Sequence, residues 1–125
     1  DYLEKMQIEG AAGFGDGIGI IDEAMAVAAV SFESRSRFDF KSDVNIPADA
    51  EDMKSEDLLV FLDGIAQGGN ITIHLNIVKG ENSHHIWEAA FRAVGIAFGR
   101  ALEKNPSRAG MTAGVAGRID FEVEK

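Results

Sequence analysis

From Ile71 to Glu88 the chain reads as strand, tight turn and helix in direct succession. Ile71, Ile73, Leu75 and Ile77 fall on one side of an extended segment, and Thr72, His74 and Asn76 on the other. That is the period-two alternation of a half-buried strand. Gly80 turns the chain, and Asn82 or Ser83 caps a helix running to about Lys104. Trp87, Phe91, Val94, Phe98 and Leu102 lie along one side of this helix, and Asn105-Pro106 ends it. Gly95 and Gly99 allow another backbone to come close. A strand that feeds straight into a long amphipathic helix must fold that helix back onto its own sheet to bury both apolar faces.

The remaining segments extend this unit. Leu3, Met6 and Ile8 read as the tail of a helix. Ala11 to Gly19 is a loop by composition; it lacks both the GxGxxG spacing and the lysine of a phosphate-binding loop. Ile20 to Phe32 is apolar and β-branched enough for a strand, with Asp22-Glu23 at its start. Glu33 to Arg37 is a turn. Phe38 to Val44 alternates as a half-buried antiparallel strand, closed by Asn45-Ile46-Pro47. Asp49 to Asp52 is a solvated acidic loop. Ser55, followed by Glu56 and Asp57, opens a second helix with an apolar stripe of Leu58, Leu59, Phe61, Leu62 and Ile65, which Gly68-Gly69 stops. Gly110, Gly114 and Gly117 mark a loop, and Ile119 to Val123 a last edge strand. The order β-β-α-β-α predicts an α+β two-layer sandwich, with both helices on one face of a mixed sheet and residues 1–125 forming one domain.

Composition removes several functions. The 125 residues contain no cysteine, so there is no disulfide framework, zinc-thiolate site or cysteine nucleophile. A net charge of -9 argues against a nucleic-acid partner, which requires a basic face. No apolar run is long enough to span a bilayer and no signal-peptide pattern opens the chain, so no membrane partner is expected and a cytoplasmic location is. Asp1 is not an initiator residue, which leaves a processed chain, a tagged chain and a fragment all open.

The chemistry concentrates in one place. All three histidines, His74, His84 and His85, fall within a dozen residues. On a helix His84 and Glu88 are i,i+4 and share a face, while His85 points about a quarter turn away. Imidazole plus carboxylate suits Mn, Fe, Zn or Ni. A His-His pair in a first helical turn is more often solvated than ligating; Glu88 one turn on and the strand-borne His74 tip the reading towards metal. Asp22-Glu23 is either a surface pair at a strand entry or the source of a general base.

These residues also carry a resemblance. Ile73-His74-Leu75, then Gly80-Glu81-Asn82-Ser83-His84-His85-Ile86-Trp87-Glu88-Ala89-Ala90-Phe91-Arg92-Ala93, resembles the C-terminal half of the imidazoleglycerol-phosphate dehydratases. Phe14-Gly15, Ile21-Asp22-Glu23-Ala24, Ser34-Arg35, Pro106-Ser107-Arg108-Ala109-Gly110 and Gly117 resemble flanking motifs of the same family. The resemblance implies dehydration of imidazole glycerol phosphate to imidazole acetol phosphate in histidine biosynthesis. It implies manganese, or another divalent transition metal, as the cofactor that stabilises a deprotonated intermediate during loss of water. It further implies that His74, His84 and Glu88 serve one ion and His85 a second. Glu23 becomes the acid/base, and Arg35 and Arg92 the phosphate ligands.

In that family two such halves face each other and the ions lie between them. This chain resembles one half, with the first half absent from it. Self-association or a complementary half would then complete the site. Two cations of the family's phosphate pocket are replaced here by Gly13 and Ala116, with Arg37, Arg108 and Arg118 as possible substitutes. An inert metal-binding module that assembles through its sheet face is the competing expectation.

Overall fold

A computed structural model of the chain describes residues 12–50 and 53–103. Strands β1 (Phe14–Ile21), β2 (Ala24–Ser31) and β3 (Arg37–Ser42) come first. A short ribbon of β4 (Asp49–Ala50) and β5 (Met53–Lys54) leads into helix α1 (Ser55–Gly69). Strand β6 (Thr72–Lys79) and helix α2 (Ser83–Ala101) complete the unit. The main sheet has the order β1-β2-β6-β3. β1, β2 and β6 are successively antiparallel, and β3 runs parallel to β6. The α+β sandwich on a mixed sheet is the architecture expected. Neither helix among the described residues is long and apolar enough to cross a membrane. The expected helix tail at Leu3–Ile8, the loop from Pro106 to Gly117 and the edge strand Ile119–Val123 lie outside the described residues, as do Arg108, Ala116 and Arg118.

The glycine-rich segment is strand, not loop. Gly15, Gly17 and Gly19 point alternately at α2, and Phe14, Asp16, Ile18 and Ile20 point away from it. A Cβ on Gly17 would lie 2.5 Å from the Ala93 carbonyl oxygen, and one on Gly19 2.0 Å from that of Ala89. Only glycine lets the helix sit this close to the strand. The facing stripe on the helix is Ala89, Ala93, Ala97 and Ala101, all fully buried. Gly95 and Gly99, expected to permit that approach, face open space instead. Glycine on the strand and alanine on the helix divide the task.

The apolar run from Ile20 to Phe32 breaks at Asp22-Glu23 into a two-residue hairpin turn, with Ile21 paired to Ala24. Asp22 takes up a left-handed φ of 48°, which aspartate tolerates. β3 carries Phe38 and Phe40 inward and Asp39 and Lys41 outward as its alternation requires, but its neighbour is parallel rather than antiparallel. Helix α1 runs through Gly68 and Gly69 and stops at Asn70, which adopts the left-handed cap conformation at φ 54°.

Ser55 is not the cap of α1. It is the first helical residue, its buried hydroxyl donates to the Pro47 carbonyl at 2.7 Å, and it accepts from Trp87 Nε1 at 2.9 Å. Trp87 stacks on Phe40 with ring centroids 6.1 Å apart. One hydroxyl thus fastens α1, α2 and the loop before the ribbon. The core above the sheet is Ala24, Ala26, Ala28, Val30, Ile73, Leu75 and Ile77 against Leu62, Ala66, Ile86, Ala90 and Val94. Among the described residues no helix lies on the opposite sheet face, and there Ile18 and Ile20 are more than half exposed.

Candidate metal centre

Helix α2 begins where sequence predicts. The Asn82 side chain accepts from the backbone N–H of His84 at 2.9 Å and of His85 at 3.1 Å. This cap satisfies two of the donors orphaned at a helix start and fixes both histidines in the first turn. His84 Nε2 and Glu88 Oε1 are 3.4 Å apart, close enough for one ion with bonds of about 2.0–2.2 Å to touch both. Glu88 Oε2 lies 3.6 Å from Arg92 Nη2, so the helix presents His84, Glu88 and Arg92 in one row. A hollow of about 390 Å³, lined by Trp87, Phe91, Met53 and Leu58, opens beside His84 and Glu88.

His85 turns the other way, towards the β1–β2 hairpin. Its Nδ1 lies 2.7 Å from Glu23 Oε1. Glu23 Oε2 accepts from the backbone N–H of Glu81 at 3.0 Å and of Asn82 at 2.9 Å. Those two backbone donors, then His85, pull the Glu23 carboxyl down to about 2 from an ordinary 4.5. The same contact raises the proton affinity of His85. A proton carrier works best with a pKa near the working pH, so this engaged carboxylate is far from that condition. His85 Nε2 faces Asp22 Oδ2 at 3.6 Å. Asp22 as a neighbour of His85 was not legible in sequence, because the two are brought together only by the hairpin meeting the helix start.

His74 stands apart. It projects from the open sheet face, paired in register with Ala29 on β2 and Asp39 on β3. Its Nδ1 is 3.5 Å from Asp39 Oδ2, and the same oxygen accepts from Arg37 Nε at 2.6 Å. The guanidinium contact lowers the Asp39 pKa. Five steps along the strand lead from His74 to Lys79, about 17 Å at 3.3 Å per step, and α2 packs on the opposite face. Within one chain, therefore, His74 and His84 do not meet. Among the described residues no three His, Asp or Glu side chains gather into a group able to hold an ion. The donors present fit a divalent transition metal in kind, and one chain supplies them as separate partial sets.

The residues expected to hold a phosphate are also apart. Arg35 lies in the loop between β2 and β3, where its carbonyl accepts from Thr72 Oγ1 at 3.1 Å, at the end of β6 remote from α2's first turn. Arg92 is paired with Glu88. Gly13 is buried at φ 87°, its N–H donating to the Ala101 carbonyl and its own carbonyl accepting from Phe32 N. That left-handed backbone suits glycine and would strain an arginine.

Fold and site together define an α+β unit that displays a His-His-x-x-Glu motif on the first turns of a capped helix. The family model for imidazoleglycerol-phosphate dehydratase matches residues 3–98, and the chain belongs to that family. The dehydratase of Campylobacter fetus is 37% identical over 92 residues, 74% of this chain and 47% of that protein. A solved dehydratase from Pyrococcus furiosus superimposes with a TM-score of 0.67 at 35% identity, covering 78% of this chain and 54% of the other. One from Staphylococcus aureus gives a TM-score of 0.74 at 24% identity, over 82% and 60%. The chain spans about half the length of the curated relatives it matches.

Proposed function

We propose that this chain is one half-unit of a metal-dependent dehydratase that converts imidazole glycerol phosphate to imidazole acetol phosphate, with its metal shells completed between copies or by a complementary half. The observation that carries this reading is the capped His-His-x-x-Glu turn, with His84 and Glu88 3.4 Å apart and His85 aimed at a different neighbour. His84 and Glu88 would hold one ion together with a His74 from another unit, and His85 would hold a second. A divalent ion there supplies Lewis-acid stabilisation of negative charge during loss of water. Arg92, beside Glu88 in the same row of side chains, would meet an anionic substrate group. The open hollow walled by Trp87 and Phe91 offers apolar side chains for the organic part of a substrate to lie against.

Two observations support association. Among the described residues no helix covers the sheet face that carries His74, and His74 lies about 17 Å of strand before the turn into the helix start it should serve. Phe14, Ile18 and Ile20 crowd that face and are each more than half exposed. These features favour a homo-oligomer of at least two copies, with a complementary half as the other way to cover the face.

The buried Gly13 in place of a pocket arginine favours a second reading, a metal-binding module without turnover. One experiment separates them: the native mass of the purified chain, together with its turnover of imidazole glycerol phosphate with and without added Mn²⁺. Manganese-dependent product formation by an oligomer supports the dehydratase. Stoichiometric Mn²⁺ binding with no product supports the module, and absence of Mn²⁺ binding rejects both.

A further inference from the structure

Glu23 sits at the tip of the β1–β2 hairpin, 62 residues before His85, and both of its oxygens are occupied. Oε2 takes the backbone N–H of Glu81 and Asn82, and Oε1 takes His85 Nδ1 at 2.7 Å. A carboxylate has only acceptors, so in the neutral ring the proton must be on Nδ1 and the lone pair on Nε2. That lone pair is directed at the side of the ring where Asp22 Oδ2 stands, 3.6 Å away. Two turn residues therefore act on one imidazole, one from behind and one in front.

We infer that Glu23 is a positioning residue: it locks His85 in the tautomer whose Nε2 can ligate a metal, and aims that nitrogen towards Asp22. The inference rests on the metal-binding reading above and deepens it. It gives Glu23 a role different from the proton transfer that family resemblance suggests. Carboxylates behind ligating histidines fix ring orientation and raise ligand basicity, and their loss typically weakens metal binding about 10–100-fold. The same carboxylate ties the hairpin to the start of α2, so the position of the ring and the position of the helix are set by one group.

Glu23→Gln is the informative change. Its single amide oxygen can keep the two backbone N–H groups, which leaves the amide NH₂ facing His85 Nδ1. A donor there forces Nδ1 to accept and moves the ring proton to Nε2, blocking the ligating nitrogen. The three histidines of the chain can be followed separately by ¹⁵N-edited NMR of the metal-free protein. The expected result is an Nδ1–H tautomer for His85 in the wild type and an Nε2–H tautomer in Glu23→Gln, with His74 and His84 unchanged. Titration with Mn²⁺ should show about 10–100-fold weaker binding in Glu23→Gln, and little further loss when the change is made in a His85→Ala background. An unchanged His85 tautomer overturns the inference. So does an equal loss of Mn²⁺ affinity with and without His85, or a fall in kcat at unaltered metal content, which is the signature of a proton carrier. Failure of the wild type to bind Mn²⁺ would reject the metal reading while leaving the tautomer comparison to decide the role of Glu23. Should Glu23→Gln unfold, Glu23→Asp, which keeps the charge but shortens the reach, is read for the same tautomer.

Discussion

His74 and His84 stand on different surfaces of one chain. The first rises from the face of β6 that no described helix covers, about 17 Å of strand before the turn into α2, and the second belongs to the first turn of a helix packed on the other face. A ligand shell that includes both must draw them from two chains. Light scattering at micromolar protein should therefore show at least a dimer when Mn²⁺ is bound, and His74→Ala should lower metal occupancy without unfolding the subunit, since His74 is exposed. A metal-loaded monomer would contradict this.

Gly17→Ala should destabilise the subunit by about 1–3 kcal/mol, because overpacking a tight contact forces backbone shifts. The added methyl would lie 2.5 Å from the Ala93 carbonyl oxygen and 2.8 Å from Ile96 Cβ. Gly95→Ala, made where a Cβ meets nothing, should be neutral or slightly stabilising. Urea unfolding of the two variants checks both, and equal stabilities would refute the strand-to-helix contact.

Ser55→Ala should cost about 1–3 kcal/mol, since it leaves the buried Trp87 indole N–H without its acceptor. Thermal melts followed by tryptophan fluorescence report directly on the chain's only Trp. An unchanged melting temperature and emission maximum would show that the bond is dispensable.

The pH dependence of the metal-free protein should carry the mark of Glu23. Its carboxyl is held at about 2 in the folded chain against 4.5 ordinarily, so its stabilising effect is complete above 4.5 and fades as pH falls towards 2. Glu23→Gln should remove that part of the acid limb, bringing the wild-type and variant melting curves together at low pH. Curves that stay equally far apart from pH 6 to pH 2.5 would contradict the assignment.

What could be read from sequence follows the range of the interactions. His84 with Glu88, the Asn82 cap and the alternation of β6 are all local, and each is found where the spacing puts it. The loop expected at Ala11–Gly19 failed in its described part because composition was weighed above period: Gly15, Gly17 and Gly19 recur every second residue, which is itself a strand signal. Only the facing alanine stripe, some 75 residues later, explains why those positions must be glycine. The parallel pairing of β3 and the occupation of Glu23 by His85 depend on contacts between distant segments, which no local pattern encodes. Ser55 looked like a helix cap because serine before two acids usually is one; its hydroxyl is held by Pro47 and Trp87 instead.

The central claim is that one ion takes His74 from one unit and His84 with Glu88 from another, and subunit mixing tests it most directly. His74→Ala and His84→Ala are each prepared separately, then unfolded together and refolded as a mixture. Random assembly should recover about a quarter of the wild-type high-affinity Mn²⁺ sites, because an intact His74 then meets an intact His84 across some interfaces. Any turnover of imidazole glycerol phosphate should return in the same proportion. A mixture that binds no more Mn²⁺ than the two variants refolded apart would contradict the account.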